Sequence, residues 1–319
     1  MDDQNDPLRS PNQQVEKNPS KIEAMLQPRN QSINCLNFET YPSGVMIPAD
    51  LDICNITMRF YHSYQQQYEM AYVHQSADYL QPGQQITLSR IDIDQMFTLL
   101  TRCHLVLRLR ESTFFQAAQL LHVLFQKMNA QGNRDFPKIL CALLFICQKY
   151  EPTDRSIYSV TQITHKLFGQ TTQVKPDTIL DCEQLVLELL DYRLETTSPY
   201  HLVHIYGQAA EFDAKKMNMV LYLISLAACC PEMQRFHPVS IAAASVSLVI
   251  DHYNMQWNQS LNFWTARKLH EIQEEKQLLK QIWLNAFEQG RLKQVNNQIY
   301  NKYADPRKFS VSLETPLYN

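Results

Sequence analysis

Two segments of this chain are apolar on every face, and they restrict its fold more than any other feature. One is FPKILCALLFICQKY at 136–150, and the other is FHPVSIAAASVSLVIDHY at 236–253. Both begin with Phe and a nearby Pro, and both end on Tyr. A helix that is apolar all round needs other helices around it. The two segments therefore predict two helical bundles, each wrapped around one central helix, and they indicate an internal duplication.

Helical patterns flank both central segments. Around the first they cover 91–107, 112–128, 159–169 and 176–191, and around the second 200–210, 215–230, 261–269 and 271–300. One capping-box pattern begins at Ser112 or Thr113, and another begins at Ser159. With only 6 glycines in 319 residues, short strands joined by tight turns are disfavoured. The predicted fold class is all-α, with two consecutive five-helix bundles and an N-terminal helix.

Composition divides the chain into five parts. Residues 1–54 are rich in Asn, Gln, Pro and Ser, which predicts a flexible polar tail. The other predicted parts are an N-terminal helix and linker at 55–85, a first bundle at 86–196, a second bundle at 197–300 and a C-terminal extension at 301–319. In the N-terminal helix, Ile56, Phe60, Tyr64 and Tyr68 recur every four residues and form one stripe. This stripe either packs on the protein's own core or touches a partner from outside the bundle.

Charge and motif content argue against several functions. The net charge of -3 gives no reason to expect nucleic acid as the main partner. The chain shows no Gly-rich phosphate loop, nucleophile–base arrangement or metal-ligand spacing, so no catalytic residue, metal or cofactor is expected. The cysteines form no C-x-x-C pair and are predicted to be reduced thiols of an intracellular protein. No uncharged apolar stretch reaches about 18 residues, so no transmembrane helix is expected.

One acid in the helical pattern at 176–191 stands on the apolar side. At 100° per residue, Glu183 falls in the arc that contains Ile179 and Val186, away from the other acids of that helix. An unpaired carboxylate there would lose several kcal/mol through desolvation. Lys149, at the end of the first central helix, is the natural partner. The two residues either form an internal ion pair or present a paired charge at a partly open edge, where the backbone of a partner completes it.

Four segments resemble the cyclins in their order and spacing. ICQKYEP at 146–152 and DCEQLVLELLDYRLETTSPYHLV at 181–203 resemble two motifs of the first cyclin box. ACCPEMQRFHPVSIAAASVSLV at 228–249 resembles the central helix of the second box, and NQIYNKYADPRKFSVS at 297–312 resembles the ending of A/B-type mitotic cyclins. The resemblance covers roughly residues 55–315. It implies two cyclin boxes and a regulatory subunit that binds and activates a cyclin-dependent protein kinase in cell-cycle control, in the nucleus or cytoplasm.

The resemblance also implies roles for particular residues. Lys149 and Glu183 match the lysine and glutamate that hydrogen-bond the kinase, and Tyr150 and Tyr192 match aromatic positions that pack on its activating helix. Glu151 is one acid where the family usually has two, which implies a narrower contact. The full set of implied kinase-binding residues is Lys149, Tyr150, Glu151, Glu183, Tyr192, Phe60 and Tyr64.

Two departures from the family pattern affect this reading. Arg90 matches an arginine that pairs with an aspartate in the family, but His122 stands at that position and supplies no counter-charge when neutral. The substrate-docking positions of the family are occupied here by Ser89, Asp92, Ile93 and Met96. An aspartate in an apolar cleft weakens such a patch, so we expect weak or no docking of Arg-x-Leu substrate peptides. Micromolar peptide binding that Ile93→Ala removes would contradict this expectation.

The favoured hypothesis is a heterodimer with a kinase catalytic subunit, with no direct contact to nucleic acid or membrane. The alternative is a cyclin-fold protein that binds DNA or the transcription machinery. That alternative favours a basic second bundle and an N-terminal zinc ribbon, and the sequence shows neither pattern.

Overall fold

The computed structural model describes residues 90–128, 135–150, 157–169, 174–196, 198–292 and 297–316, and this part of the chain contains helices and no strands. The first bundle consists of α1 (Arg90–Leu107), α2 (Glu111–Lys127), α3 (Phe136–Tyr150), α4 (Val160–Phe168) and α5 (Pro176–Leu189). The second consists of α6 (Pro199–Ala209), α7 (Ala214–Ala228), α8 (Pro238–His252), α9 (Gln259–Thr265) and α10 (Gln273–Leu292), and α11 (Gln298–Tyr303) follows it. The predicted all-α class with two five-helix bundles is confirmed.

The two apolar segments form the central helices of the bundles. α3 packs against α1, α2, α4 and α5, and α8 packs against α6, α7, α9 and α10. Every residue from 238 to 250 of α8 is buried. Full burial of one Leu, Ile or Val side chain stabilises a fold by about 1.5–3 kcal/mol, so these two helices supply much of the driving force for folding. None of the described helices is both long and apolar enough to span a membrane.

Local capping residues explain both ends of α4. The predicted capping box at the start of α4 is confirmed, because the Gln162 amide N–H donates to Ser159 Oγ and the Ser159 amide N–H donates to Gln162 Oε1. α4 ends at Gly169, whose φ of 87° lies in the region that favours glycine.

Several of the predicted boundaries are wrong, including the end of α9, which lies at Thr265 instead of 269. α2 begins at Glu111, so Ser112 and Thr113 lie inside its first turn and cannot cap it. An acid such as Glu111 is itself favourable at a helix N-terminus. The single helix predicted at 271–300 is two helices in the structure, α10 and α11. The Asn297 side chain caps α11, since it accepts a hydrogen bond from the Tyr300 amide N–H at 3.0 Å.

The C-terminal part of the chain contacts both bundles. α11 packs against α1, α7 and α10. Lys302 on α11 forms an ion pair of 2.6 Å with Glu111 at the start of α2. Further along, Glu314 accepts from Lys215 at 2.6 Å and from the Tyr253 hydroxyl at 2.8 Å, and lies 2.8 Å from His252 Nε2. These contacts fix the final turns of the described chain on the rest of the molecule.

Because two histidines are buried, we expect the folded protein to lose stability in mild acid. Burial lowers the pKa of His122 to about 4, and burial together with the Lys302 ammonium does the same for His104. Both rings are therefore neutral when folded, whereas the unfolded chain takes up their protons below about pH 6.5. The stabilisation that comes from keeping these two histidines neutral is present above about pH 6.5 and is lost as the pH falls towards 4. At pH 5 each histidine is expected to reduce the free energy of unfolding by about 2 kcal/mol.

Denaturant unfolding at pH 7.5 and pH 5 measures this effect. His122→Gln is expected to shrink the difference between the two pH values by about 2 kcal/mol. His165→Gln is the control, because His165 is exposed on α4. An equal difference in His122→Gln and the unmodified chain would show that His122 does not contribute.

Candidate functional site on the first bundle

The predicted pairing of Lys149 with Glu183 is present in the structure. Lys149 lies in the last turn of α3, and its Nζ donates to Oε1 of Glu183 on α5. The lysine side chain is 43% exposed, whereas that of Glu183 is only 13% exposed. The ammonium also lies 4.2 Å from the centroid of the Phe145 ring, which is a cation–π contact. Since an ammonium has three donors, Lys149 can hold Glu183 and still donate to a partner.

The packing of α3 on α5 places this pair. Among the described helices, these two make the most extensive contact. Ile179, Val186 and Leu190 fill the buried side of α5, and Glu183 stands at the edge of that side. The carboxylate is therefore shielded from water by its own helix and neutralised by Lys149. The pair is therefore shielded from solvent on the Glu183 side and open to solvent on the lysine side.

Large apolar side chains surround the Lys149–Glu183 pair. Some are adjacent to it in sequence, and others lie one helical turn away. Tyr150, next to Lys149, is 48% exposed, and Leu180, one turn before Glu183, is 44% exposed. Leu187, one turn after Glu183, is half-buried. A charged pair flanked by large exposed apolar groups is typical of a protein-binding surface. Neither leucine is among the predicted site residues, although their spacing of three and four residues from Glu183 places them beside it on the helix.

A strained turn presents Tyr192. Asp191 and Tyr192 both have left-handed backbone, with φ of 50° and 57°, and such residues cost about 1 kcal/mol or more each when they are not glycine. The Tyr192 amide N–H donates to the Leu187 carbonyl at 2.9 Å, and Lys127 pairs with Asp191 at 2.5 Å. These bonds hold the turn after α5, and the Tyr192 side chain is left 65% exposed.

Gln148 fixes the chain that enters α4. Its side chain is buried, its Nε2 donates to the Tyr158 carbonyl at 2.8 Å, and the Tyr158 amide N–H donates to its Oε1 at 3.1 Å. Both polar groups of the amide are thereby satisfied inside the protein. Ile157, the neighbour of Tyr158, is 49% exposed. Gln148 therefore sets the position of another apolar residue close in sequence to Lys149.

Several of the predicted site residues lie outside the described part of the chain. They are Phe60, Tyr64, Ser89 and Glu151. Arg90 begins α1, but its side chain is not described, so its pairing with His122 stays a prediction. His122 is buried, and its Nε2 lies 2.8 Å from the carbonyl oxygen of Ala228. Because a carbonyl oxygen can only accept a hydrogen bond, Nε2 must carry the proton.

The docking positions on α1 are mostly buried. Ile93 and Met96 are 5% and 2% exposed, whereas Asp92 is half-buried. Two of these side chains thus belong to the core and offer little apolar surface to a peptide. The weak docking of Arg-x-Leu peptides stays a prediction.

The cysteines and possible metal ligands form no further site in the described chain. Cys103, Cys141, Cys147 and Cys230 are buried, and burial raises the pKa of the Cys103 thiol to about 12. Thiols of this kind are unreactive because the thiolate is disfavoured. In the described ranges, no group of three or more His, Cys, Asp or Glu residues could hold a metal ion.

Comparison with known protein families identifies the fold. The family described as "Cyclin, N-terminal domain" matches residues 59–195, and the one described as "Cyclin, C-terminal domain" matches residues 196–317. The chain belongs to the cyclin family. This cyclin is 26% identical over 185 residues to the G2/mitotic-specific cyclin-B of Dictyostelium discoideum, covering 56% of this chain and 40% of the relative. It is 24% identical over 230 residues to the G2/mitotic-specific cyclin-B of Drosophila melanogaster, covering 67% of this chain and 41% of the relative.

The cyclin thus spans less than half the length of these two curated relatives. Among solved structures, it is similar to a viral cyclin from herpesvirus saimiri, with 18% identity, a TM-score of 0.49, and 60% of this chain and 84% of that chain covered. The family matches and the B-type relatives describe a divergent cyclin that is most similar to B-type cyclins.

Proposed function

We propose that this cyclin is the regulatory subunit of a cyclin-dependent protein kinase, which it binds and activates. The observation that carries the proposal is the Lys149–Glu183 pair, which is half open to solvent and flanked by exposed Tyr150 and Leu180. The resemblance to the cyclins implies kinase-binding roles for Lys149, Glu183 and Tyr150, which supports the proposal. Aromatic and charged side chains that become buried when two proteins bind form the energetic centre of many interfaces.

The cyclin does no chemistry in this proposal. Its first bundle presses on the kinase's C-helix, which seats the Lys–Glu pair of the kinase and orders its activation loop. Lys149 donates to the kinase backbone, while Tyr150, Tyr192 and the neighbouring leucines fill apolar contacts around it. An interface with this task buries on the order of 2,000 Å². The N-terminal helix predicted from the sequence at 56–68, with Phe60 and Tyr64, and the acid Glu151 are expected to extend the same contact.

The names of the curated relatives support a role in cell division. Both relatives given above are described as G2/mitotic-specific cyclins. We infer that the kinase partner is a serine/threonine kinase and that the complex is a heterodimer in the nucleus or cytoplasm. The net charge of -3 gives no support to DNA binding as the main function.

Reconstitution with kinase catalytic subunits tests the proposal. The full chain is mixed with each member of a panel of cyclin-dependent kinases, and complex formation is followed by size-exclusion chromatography. At least one kinase is expected to co-elute in a one-to-one complex and to phosphorylate a protein substrate only when the cyclin is present. Failure to bind any kinase, together with binding to duplex DNA, would instead support the transcription-related alternative.

A further inference from the structure

A groove on the first bundle combines apolar walls with positive charge. It lies where α1, the start of α3 and the end of α4 meet, and its volume is about 110 Å³. The buried side chains of Cys103 and Cys141 line its inner part. Its other apolar residues are half-buried or exposed, and they are Leu99, Val106, Pro137, Leu167 and Phe168. The volume is well below the range of about 300–1,000 Å³ of small-molecule pockets, so the groove can take up a single side chain.

Two cations line this groove, and they come from different helices. Arg102 belongs to α1 and Lys166 to α4, and both residues are exposed. The Lys166 ammonium lies 4.5 Å from the centroid of the Tyr158 ring and donates to the Tyr158 hydroxyl at 3.3 Å. These contacts hold the ammonium in place, but a tyrosine is neutral at pH 7 and leaves the positive charge uncompensated.

The surroundings of the two cations contain no counter-charge. No carboxylate is among the groove-lining residues that the structure describes, and no described carboxylate forms an ion pair with Arg102 or Lys166. Val106, between the two cations in the list of lining residues, is 43% exposed. A ligand that carries both an apolar group and negative charge would therefore gain from the walls and from the cations together.

We propose that this groove binds a linear segment of a protein partner in which one aliphatic residue is flanked by carboxylates. The aliphatic side chain enters the apolar groove, and the carboxylates pair with Arg102 on α1 and Lys166 on α4. A phosphate group would use the cations alone and gain nothing from the apolar walls. The same cations repel a basic peptide, so the assigned ligand is opposite in charge to the Arg-x-Leu peptides considered above.

Fluorescence anisotropy with the full-length chain tests the proposal. The probe is a labelled, blocked heptapeptide with Asp-Leu-Asp at its centre and glycine and serine at the other positions. It is expected to bind with a Kd on the order of 100 µM, and more weakly as salt is added, because exposed ion pairs are screened. Peptides with Asn-Leu-Asn, Asp-Ser-Asp or Lys-Leu-Lys at the centre are expected to bind at least about tenfold more weakly. Equal binding of the Asp-Leu-Asp and Asn-Leu-Asn peptides would overturn the proposal.

A charge reversal locates the binding in the groove. Arg102→Glu with Lys166→Glu is expected to weaken binding of the Asp-Leu-Asp peptide at least about tenfold and to strengthen binding of the Lys-Leu-Lys peptide. The control is Lys268→Glu with Arg291→Glu, which changes the net charge by the same amount at exposed residues of the second bundle. It is expected to leave both affinities unchanged. An equal loss in the two double variants would show that the overall charge attracts the peptide, contrary to the proposal.

Two further measurements separate this occupant from others. Inorganic phosphate that displaces the peptide at a concentration below the peptide's own Kd would show a general anion site instead. The segment DLDI at 50–53 of this chain has the same pattern of charges. Peptide binding that tightens at least about fivefold in Asp50→Asn with Asp52→Asn would assign the groove to this segment and not to a partner.

The groove lies apart from the proposed kinase site. α3 begins beside the groove at Pro137 and carries Lys149 in its last turn, and at 1.5 Å per residue these two residues are about 18 Å apart along the helix. The peptide measurements use the cyclin without a kinase. Either proposal can therefore fail without the other.

Discussion

Replacing Lys149 by glutamate is expected to weaken kinase binding by at least about 30-fold, because loss of a central interface residue commonly costs 2 kcal/mol or more. The substitution removes the donor that faces the partner. It also leaves Glu183, which is 13% exposed, opposite a second carboxylate. Surface plasmon resonance with the kinase identified by reconstitution measures the binding, and substrate phosphorylation measures the activation. Lys138→Glu is the matched control, since Lys138 also forms an ion pair on α3, with Asp135 at 2.6 Å.

Exchanging the two residues distinguishes an internal ion pair from a partner contact. In the double variant Lys149→Glu with Glu183→Lys, the ion pair is restored with reversed polarity. If the pair only stabilises the bundle, both folding and kinase binding return. If Lys149 donates to the kinase backbone, the thermal unfolding temperature recovers but kinase binding does not. Full binding by the single Lys149→Glu variant would show that the assigned role is wrong.

The central helices could be predicted because a helix that is apolar on every face is stable only when other helices surround it. α3 begins and ends where the pattern predicts, at Phe136 and Tyr150, and α8 ends one residue before the predicted end. The pairing of Lys149 with Glu183 could be predicted for the same kind of reason. A carboxylate in an apolar arc needs a cation, and the end of the central helix offered one within reach.

Long-range contacts could not be predicted, because no local pattern encodes them. Gln148 binds the backbone of Tyr158, which is 10 residues away in the sequence, and Lys127 meets Asp191, which is 64 residues away. The left-handed backbone at Asp191 and Tyr192 is held by that pair and by a bond to Leu187, and it is unusual for a tyrosine. The break between α10 and α11 was missed for a different reason. The cap at Asn297 is a local signal, but a continuing helical pattern obscured it.

Replacing Lys302 by methionine is expected to destabilise the fold by about 3 kcal/mol or more, because breaking a buried ion pair leaves the other charge poorly compensated. The Lys302 side chain is 7% exposed, and its Nζ lies 2.6 Å from Glu111 Oε2. The ammonium also lies 5.5 Å from the centroid of the Phe114 ring. Thermal unfolding is expected to shift down by roughly 6–12 °C. Lys308→Met is the control, because Lys308 is 32% exposed and lies 3.8 Å from the same carboxylate.

The pH dependence of this variant gives an independent check. Burial alone would raise the pKa of Glu111, but Lys302 and the neighbouring cations outweigh it, so the pKa is lowered. The stabilisation from Glu111 is therefore present above the ordinary pKa of a glutamate and is lost as the pH falls through the lowered value. In Lys302→Met, the part of the free energy of unfolding that is lost in acid should become smaller. The double variant Lys302→Met with Glu111→Gln should lose less free energy of unfolding than the sum of the losses in the two single variants. Strictly additive losses would mean that α11 is held on the first bundle by apolar packing and that the ion pair contributes nothing to it.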